Sequence, residues 1–196
     1  MNIALHPNVT RAAEGLPRRR FTVAEVEAMV AAGILDADER VELIGGELVP
    51  MSSKGIFHET VKGALMERWA GLRWRPHVVM QETTFRLSDD TFLEPDFVIF
   101  PRADKLKSLS QANVLLVVEI GDSSLSYDRG RKAKVYARFG VRELWVIDAV
   151  KRLTHVYLDP TESGYQETHK FNAAKLVVPR FAPEIFALSL DDLEAL

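Results

Sequence analysis

The feature that most constrains the fold is a short run without a polar residue, Val114-Leu-Leu-Val-Val118. A continuous, β-branched apolar run of this length is typical of a strand that is buried on both faces of a sheet. Glu119 follows it directly, and a helical pattern from about Tyr127 to Phe139 comes next and ends at Gly140. The order of these elements predicts an α/β (α+β) fold with a central mixed sheet flanked by helices.

An N-terminal helix and a β-hairpin are predicted ahead of this core. Thr22-Val-Ala-Glu25 has the spacing of a capping box, and Gly33 can end the helix that it starts. Two short strand-like runs follow around Gly45-Gly46, where glycine reaches the positive φ of a tight turn without a Cβ clash. A second helix is predicted from about Phe57 to Ala70, because apolar residues recur there at spacings of four.

Further strands are predicted from runs rich in Val, Thr and Phe. Asp89-Asp90 is predicted to be the turn of one pair, and Pro95 predicts a bulge or a partly open position because proline cannot donate to a ladder. The predicted strands are His77–Leu87, Thr91–Phe100, Glu143–Asp148 and Leu153–Leu158, of which the last two pair, and the tail Phe181–Leu196 is predicted to pack with a short terminal helix.

Length and composition bound the class of protein. A chain of 196 residues is typical of one domain, here residues 21–196 behind a flexible arm of residues 1–20 that ends in Arg18-Arg19-Arg20. The absence of cysteine excludes thiolate zinc sites, cysteine nucleophiles and disulfides. The longest uncharged apolar run, Ala28–Leu35, is too short for a membrane span, and the first residues lack a secretory pattern. We therefore expect a cytoplasmic protein without a membrane partner.

Two carboxylates lie where charge is costly. Asp96 falls in an otherwise apolar strand pattern, and Glu119 ends the most apolar strand of the chain. A buried carboxylate needs a compensating cation or a set of donors, and a divalent metal between two of them would remove their repulsion. Mg²⁺ suits such oxygen ligands. The ordinary alternative is that each acid lies at a strand end, exposed or paired with arginine.

The helix after Glu119 carries a second pattern. Asp128, Lys132 and Tyr136 recur at spacings of four and so share one face, although an ordinary Asp–Lys surface pair would show the same spacing. Residues 128–142 hold six basic residues against one acid, a net charge of +5 within a chain of net charge −3. Such a patch beside two carboxylates suits a polyanion whose phosphates pair with lysine and arginine.

At these residues the sequence resembles the Uma family of restriction endonucleases, which is placed in the PD-(D/E)xK nuclease superfamily. The resemblance covers about residues 20–190. It is carried by a linked set of motifs: Arg40-Val-Glu-Leu-Ile-Gly-Gly-Glu47, His58, Pro95-Asp96, Val118-Glu119-Ile120, Asp122-Ser-Ser-Leu125, Asp128-Arg-Gly-Arg-Lys132, Tyr136, Gly140-Val141 and Glu143-Leu-Trp-Val-Ile-Asp148. The resemblance implies a restriction-endonuclease-like core.

The resemblance also implies a set of site residues. Asp96 and Glu119 would bind Mg²⁺, with Mn²⁺ as a substitute, together with the backbone carbonyl of Ile120. The superfamily's usual lysine position is Gly121 here, and Lys132 on the following helix is the residue that would replace that lysine. The resemblance implies two kinds of supporting residue: His58 and Gln81 would line the site, and Asp128 and Tyr136 would hold the lysine. The ordinary alternative for His58 is that it is simply a polar residue near the start of a helix.

The leading hypothesis is a Mg²⁺-dependent endonuclease that hydrolyses DNA phosphodiester bonds, with Asp96, Glu119 and Lys132 as catalytic residues. Arg129, Arg131 and Lys134 would contact the DNA, and a homodimer is expected because two active sites suit two strands. A first alternative is an inactive nuclease-fold protein that acts as a nucleic-acid-binding or protein-interaction module. A second is an interaction protein whose +5 surface faces an acidic partner.

Overall fold

The computed structural model describes residues 18–36, 38–72, 76–122 and 124–193. Its helices are α1 (Val23–Ala31), α2 (Ile56–Ala70), α3 (Leu125–Tyr127) and α4 (Ala133–Arg138). Its strands are β1 (Val41–Ile44), β2 (Glu47–Pro50), β3 (His77–Gln81), β4 (Phe85–Ser88), β5 (Thr91–Leu93), β6 (Phe97–Pro101), β7 (Leu116–Gly121), β8 (Glu143–Asp148), β9 (Leu153–Thr161) and β10 (Gly164–Asn172). No helix in these ranges is long and apolar enough to cross a membrane.

Six strands form a central mixed sheet in the order β10-β9-β8-β7-β6-β3. Only the pair β7–β8 is parallel, and the chain between them passes through α3 and α4. Every residue of β7 and β8 is buried, as expected for strands covered on both faces. The mixed sheet with few helices confirms the predicted α+β class.

The prediction of two long strands, His77–Leu87 and Thr91–Phe100, is wrong in one respect. Each of these runs forms two strands, and the two strands belong to different sheets. β3 pairs with β6 in the central sheet, whereas β4 pairs with β5 in a four-stranded sheet of order β2-β1-β5-β4. Glu82, with φ of 45°, and Pro95 lie at the two crossings between the sheets. Pro95 therefore lies between strands and interrupts no ladder.

The predicted hairpin and the N-terminal helix are confirmed in detail. Gly45 and Gly46 have φ of 58° and 81° between β1 and β2, a conformation that glycine adopts without strain. Thr22 and Glu25 form both hydrogen bonds of the capping box at the start of α1. Of the predicted arm, only residues 18–20 are described, and their arginines pair with Glu47, Glu25 and Asp90; the rest lies outside the described residues.

The helix predicted from Tyr127 to Phe139 is not a uniform α-helix. α3 runs into a π-helical turn, Asp128–Lys132, which continues as α4. The wider turn places both of its end residues on the buried side, facing the sheet. The tail forms short 3₁₀ turns at Glu184–Phe186 and Leu190–Asp192 where a terminal helix was predicted, and residues 194–196 lie outside the described residues.

Apolar cores cover both faces of the central sheet. On one face α2 and the tail pack through Leu65, Trp69 and Phe186; on the other, α4 packs through Tyr136 against Phe85 and the sheet. The ends of both cores leave a gap beside the junction of β6 and β7, between the start of α2 and the π-helical turn. The fold thus directs the predicted acidic residues into one region.

Candidate active site

Asp96 and Glu119 lie side by side at one end of the central sheet. Asp96 immediately precedes β6 and Glu119 lies in β7, and the ladder places Phe97 opposite Val118. Both side chains are buried, with exposed fractions of 5% and 2%. They open onto a cavity of about 260 Å³, here called the acidic cavity. Its charged lining residues are Glu42, Lys54, His58, Glu94, Asp96, Glu119, Asp122, Asp128 and Lys132.

Asp96 accepts hydrogen bonds at both oxygens. Oδ1 accepts from His58 Nε2 at 2.9 Å and from Lys54 Nζ at 3.1 Å, and Oδ2 accepts from the backbone N–H of Ile120 at 2.7 Å. Burial alone would raise the pKa of Asp96, but His58, Lys54 and the Ile120 N–H outweigh it and hold this pKa below its usual value. The predicted alternative of an exposed strand-end acid therefore does not apply.

Glu119 is held by the helical segment above β7. Its Oε1 accepts a hydrogen bond of 2.6 Å from the Tyr136 hydroxyl and lies 2.8 Å from Lys132 Nζ. Burial raises the pKa of Glu119 to about 8; Lys132 opposes this rise, whereas the neighbouring acids add to it. Its Oε2 accepts no hydrogen bond from any described residue. Lys132 therefore offsets only part of the effect of burial on Glu119.

Lys132 is the centre of a buried ionic network. Its Nζ lies 2.9 Å from Glu42, 2.8 Å from Glu119 and 3.9 Å from Asp128. Burial lowers the pKa of Lys132, but the surrounding carboxylates outweigh burial and raise it above its usual value. Burial also raises the pKa of Asp128 to about 6. The Asp128–Lys132 pair is therefore part of the cavity wall and not an ordinary surface pair.

Position 121, where the resemblance led us to look for a lysine, has no room for a side chain. A Cβ built on Gly121 would lie 2.8 Å from both Cα and Cδ1 of Leu125 at the start of α3. Contacts this short force backbone to move, so no side chain fits at position 121 without displacing α3. An ammonium group can reach Glu119 only from elsewhere, and Lys132 does so from the π-helical turn.

Some of the predicted site residues lie away from the acidic cavity. Gln81 lies on β3, where it pairs with Phe97 of β6, and it lines a separate, mainly apolar cavity beside Trp69. Arg129, Arg131 and Lys134 are exposed and do not line the acidic cavity. His58 and Ile120, in contrast, both line it. The structure therefore brings together Asp96, Glu119, Lys132, His58, Ile120 and Asp128, with Tyr136 behind Glu119.

The sequence interpretation missed several residues of the acidic cavity, among them Glu42 and Lys54. Glu42 on β1 is 2% exposed, accepts the Glu94 N–H at 3.1 Å and contacts Lys132, so the small sheet contributes to the site. Glu42 is a carboxylate within the strand-like run Val41–Ile44, which is the same pattern that predicted Asp96 as a site residue. The sequence could therefore have predicted Glu42 as well. Lys54 lies between β2 and α2, where no periodic pattern marks it.

The donor set of the acidic cavity suits a hard cation. Six carboxylates line it against two lysines and one histidine, and oxygen is the ligand that Mg²⁺ prefers. Burial is the main cause of the raised pKa values of Glu119 and Asp128, and the neighbouring acids add to it. Among the described residues, no group of three or more His, Asp or Glu side chains is arranged to hold a metal. A cation would therefore need Asp96, Glu119, the Ile120 carbonyl and water together.

The chain shares its fold with a solved structure and matches the model of a known family. A similar fold is seen in a solved structure, the "Crystal structure of a putative nuclease belonging to DUF820" from Anabaena variabilis. The TM-score is 0.63 at 18% identity, over 88% of this chain and 97% of that chain, so the fold is that of a nuclease-like α+β protein. The family model of Uma2, described as "Putative restriction endonuclease", matches residues 23–191.

The chain therefore belongs to the Uma2 family, which confirms the resemblance found in the sequence and supports a nuclease function in general terms. No protein among the curated ones matches it.

Proposed function

We propose that this protein is a divalent-metal-dependent endonuclease that hydrolyses phosphodiester bonds of DNA. The observation that carries the proposal is the acidic cavity, in which two buried carboxylates on neighbouring strands lie beside a buried lysine. Family membership supports a nuclease, and DNA is the substrate that a restriction-type nuclease takes. The alternative, an inactive nuclease-fold protein that acts as an interaction module, gives no reason for six carboxylates around one cavity.

Asp96, Glu119 and the backbone carbonyl of Ile120 are the groups that would hold the cation, with Mg²⁺ as the first choice and Mn²⁺ as a substitute. A divalent cation bound there supplies a Lewis acid for the scissile phosphate and lowers the pKa of a bound water. Asp96 is prepared for this role because the Ile120 N–H and His58 fix the orientation of its carboxylate.

Lys132 would orient the attacking water or stabilise charge that develops on the phosphate. Its Nζ is fixed by Glu42 and Asp128, which hold the ammonium next to Glu119. Tyr136 donates to the same Glu119 oxygen that Lys132 contacts and so helps to fix the carboxylate. The chain's own residues thus supply position and charge in a buried setting, where electrostatic effects are stronger than in water.

The DNA backbone would be bound by the exposed basic residues of the helical segment. Arg131 and Lys134 form no ion pair with any described acid, and Arg129 only donates to the Tyr157 hydroxyl at 3.4 Å. Unpaired basic side chains beside an acidic cavity suit phosphates that flank the scissile bond. Because a duplex has two strands, we expect the active form to be a homodimer.

The proposal is tested by plasmid cleavage in Mg²⁺ with two isosteric variants, Asp96→Asn and Glu119→Gln. Each should lower the cleavage rate by at least about 100-fold, since each removes a ligand charge from the cation. Asp148→Asn is the matched control: Asp148 is buried on the next strand, outside the acidic cavity, and an amide oxygen can still accept the Lys151 N–H. Cleavage that persists in Glu119→Gln, or that is lost in Asp148→Asn, would contradict the proposal.

A further inference from the structure

A second lysine, Lys54, contacts the same carboxylate that is proposed to bind the cation. Lys54 lies in the segment between β2 and α2, and its side chain is 14% exposed. Its Nζ lies 3.1 Å from Asp96 Oδ1 and also pairs with Glu82. Lys54 lines the acidic cavity, and neither the sequence pattern nor the family resemblance singles it out.

Lys54 and Lys132 differ in what would happen if they moved. Lys132 is 5% exposed among three carboxylates, so its departure would leave several buried charges unpaired. Lys54 precedes a glycine and follows two exposed serines, and its second partner, Glu82, is more than one-third exposed. An ammonium on a flexible stem, with a partly exposed carboxylate as its second partner, can change partners at little cost.

Asp96 Oδ1 cannot bind the Lys54 ammonium and a divalent cation equally well at the same time. That oxygen already accepts from His58 and Lys54, at 2.9 and 3.1 Å. A doubly charged ion at the same oxygen would repel the ammonium strongly at such a separation. Lys54 would therefore leave Asp96 but stay in the lining of the cavity, where a phosphate bound through the cation would carry negative charge. Lysine binds phosphate as a compact point charge.

We propose that Lys54 is the phosphate-binding lysine of this site, and that in the metal-free chain it occupies the place on Asp96 that a divalent cation takes. This inference rests on the proposed function and adds to it that the two lysines have different roles. Lys132 stays with Glu119, whereas Lys54 exchanges Asp96 for the substrate. Metal binding and DNA binding then become linked through one side chain.

Lys62 provides a matched control for Lys54. Its side chain is also 14% exposed, and its Nζ lies 3.2 Å from the same Glu82 oxygen. Lys62 otherwise pairs with Glu59, does not contact Asp96 and does not line the acidic cavity. Removing either ammonium takes one charge from the Glu82 cluster, but only Lys54→Met also removes a positive charge from Asp96 Oδ1, which keeps His58 as its donor.

The first experiment measures Mn²⁺ affinity by isothermal titration calorimetry in the full chain. Lys54→Met should bind Mn²⁺ about tenfold more tightly than the parent, because a competing positive charge is gone. Lys62→Met and the charge-conserving Lys54→Arg should stay within about twofold of the parent. Thermal unfolding of all variants verifies folding. A merely structural role for Lys54 would weaken metal binding and could not strengthen it.

The second experiment measures binding of a labelled DNA duplex by fluorescence anisotropy, with Ca²⁺ or with EDTA. Lys54→Met should weaken binding on the order of fivefold in Ca²⁺ and by less than twofold in EDTA, where Lys54 remains on Asp96. An unchanged Mn²⁺ affinity, or equal effects of Lys54→Met and Lys62→Met, would overturn this inference alone. A parent protein that binds no Mn²⁺ at millimolar concentration would overturn the proposed metal site and this inference together.

Discussion

At the scale of single residues, the site depends on carboxylates whose burial is offset in different ways. Asp96 has three donors, and its pKa is lowered; Glu119 has one hydroxyl and a shared ammonium, and burial raises its pKa to about 8. The pKa values of the two acids therefore shift in opposite directions, although both side chains line the same cavity. This difference arises because Asp96 faces the start of α2, whereas Glu119 faces the helical segment after β7.

Gly121 gives a stability prediction at this scale. Gly121→Ala should lower the free energy of unfolding by about 2 kcal/mol, since its Cβ would lie 2.8 Å from the Leu125 Cα. The matched control is Gly130→Ala in the π-helical turn, whose Cβ would meet no atom within 4 Å, and which should change stability by less than about 1 kcal/mol. Urea denaturation of both variants measures this. Equal effects would show that position 121 tolerates a side chain.

His155 gives a prediction about pH. It is 3% exposed on β9, and its Nε2 has no hydrogen-bond partner among the residues that the structure describes. Burial together with Arg129 and Lys170 lowers the pKa of His155 to about 4, against the opposing effect of Asp148. The unfolded chain therefore binds this proton first as pH falls, so stability is lost from about pH 6.5 towards pH 4.

Urea denaturation between pH 7 and 4.5 should show that the parent loses about 2 kcal/mol more than His155→Gln over this range. Parallel losses in the two proteins would mean that His155 is as easily protonated in the folded chain as in the unfolded chain.

At the scale of elements, the π-helical turn gives one helical segment a buried side in the cavity wall and an exposed basic side. Asp128 and Lys132, its first and last residues, are buried in the cavity wall, while Arg129 and Arg131 between them are exposed. A spacing of four residues predicted that Asp128, Lys132 and Tyr136 share a face, and that grouping holds although the turn is not α-helical. The sequence contained no signal for the wider turn itself.

The exposed side of this segment is tested through salt dependence. Changing Arg129, Arg131 and Lys134 to Gln should weaken DNA binding, and the slope of log affinity against log salt should fall by up to about 2.7, or 0.9 for each lost phosphate contact. The control changes Lys105 and Lys107, which are exposed on the loop after β6. Binding that stays unchanged in the triple variant would place the DNA on another surface.

At the scale of the whole molecule, the sequence predicted the class of fold because buried strands leave a continuous apolar pattern, as in Val114–Val118. It predicted Asp96 and Glu119 because a charge in such a pattern is conspicuous. It could not predict that His77–Leu87 and Thr91–Phe100 are each divided between two sheets, since both parts of each run are apolar and extended. The contribution of Glu42 depends on that division, because β1 pairs with β5 in the small sheet.

Lys54 marks the limit of sequence interpretation for the site. A lysine in a loop is usually solvated, and only the three-dimensional placement of the β2–α2 segment beside Asp96 gives it a contact. Gln81 illustrates the opposite case: it was expected to line the site and lies in a separate cavity, one strand away. Long-range placement, and not local pattern, decides both.

The central claim is that Asp96 and Glu119 together hold a divalent cation, and a crystal soaked in Mn²⁺ tests it most directly. An anomalous difference map should show a peak within about 2.5 Å of both carboxylates and of the Ile120 carbonyl oxygen. Lys132 should remain beside Glu119 in the refined structure of the same crystal. A cavity without a peak at millimolar Mn²⁺, or a peak bound to carboxylates other than this pair, would contradict the account.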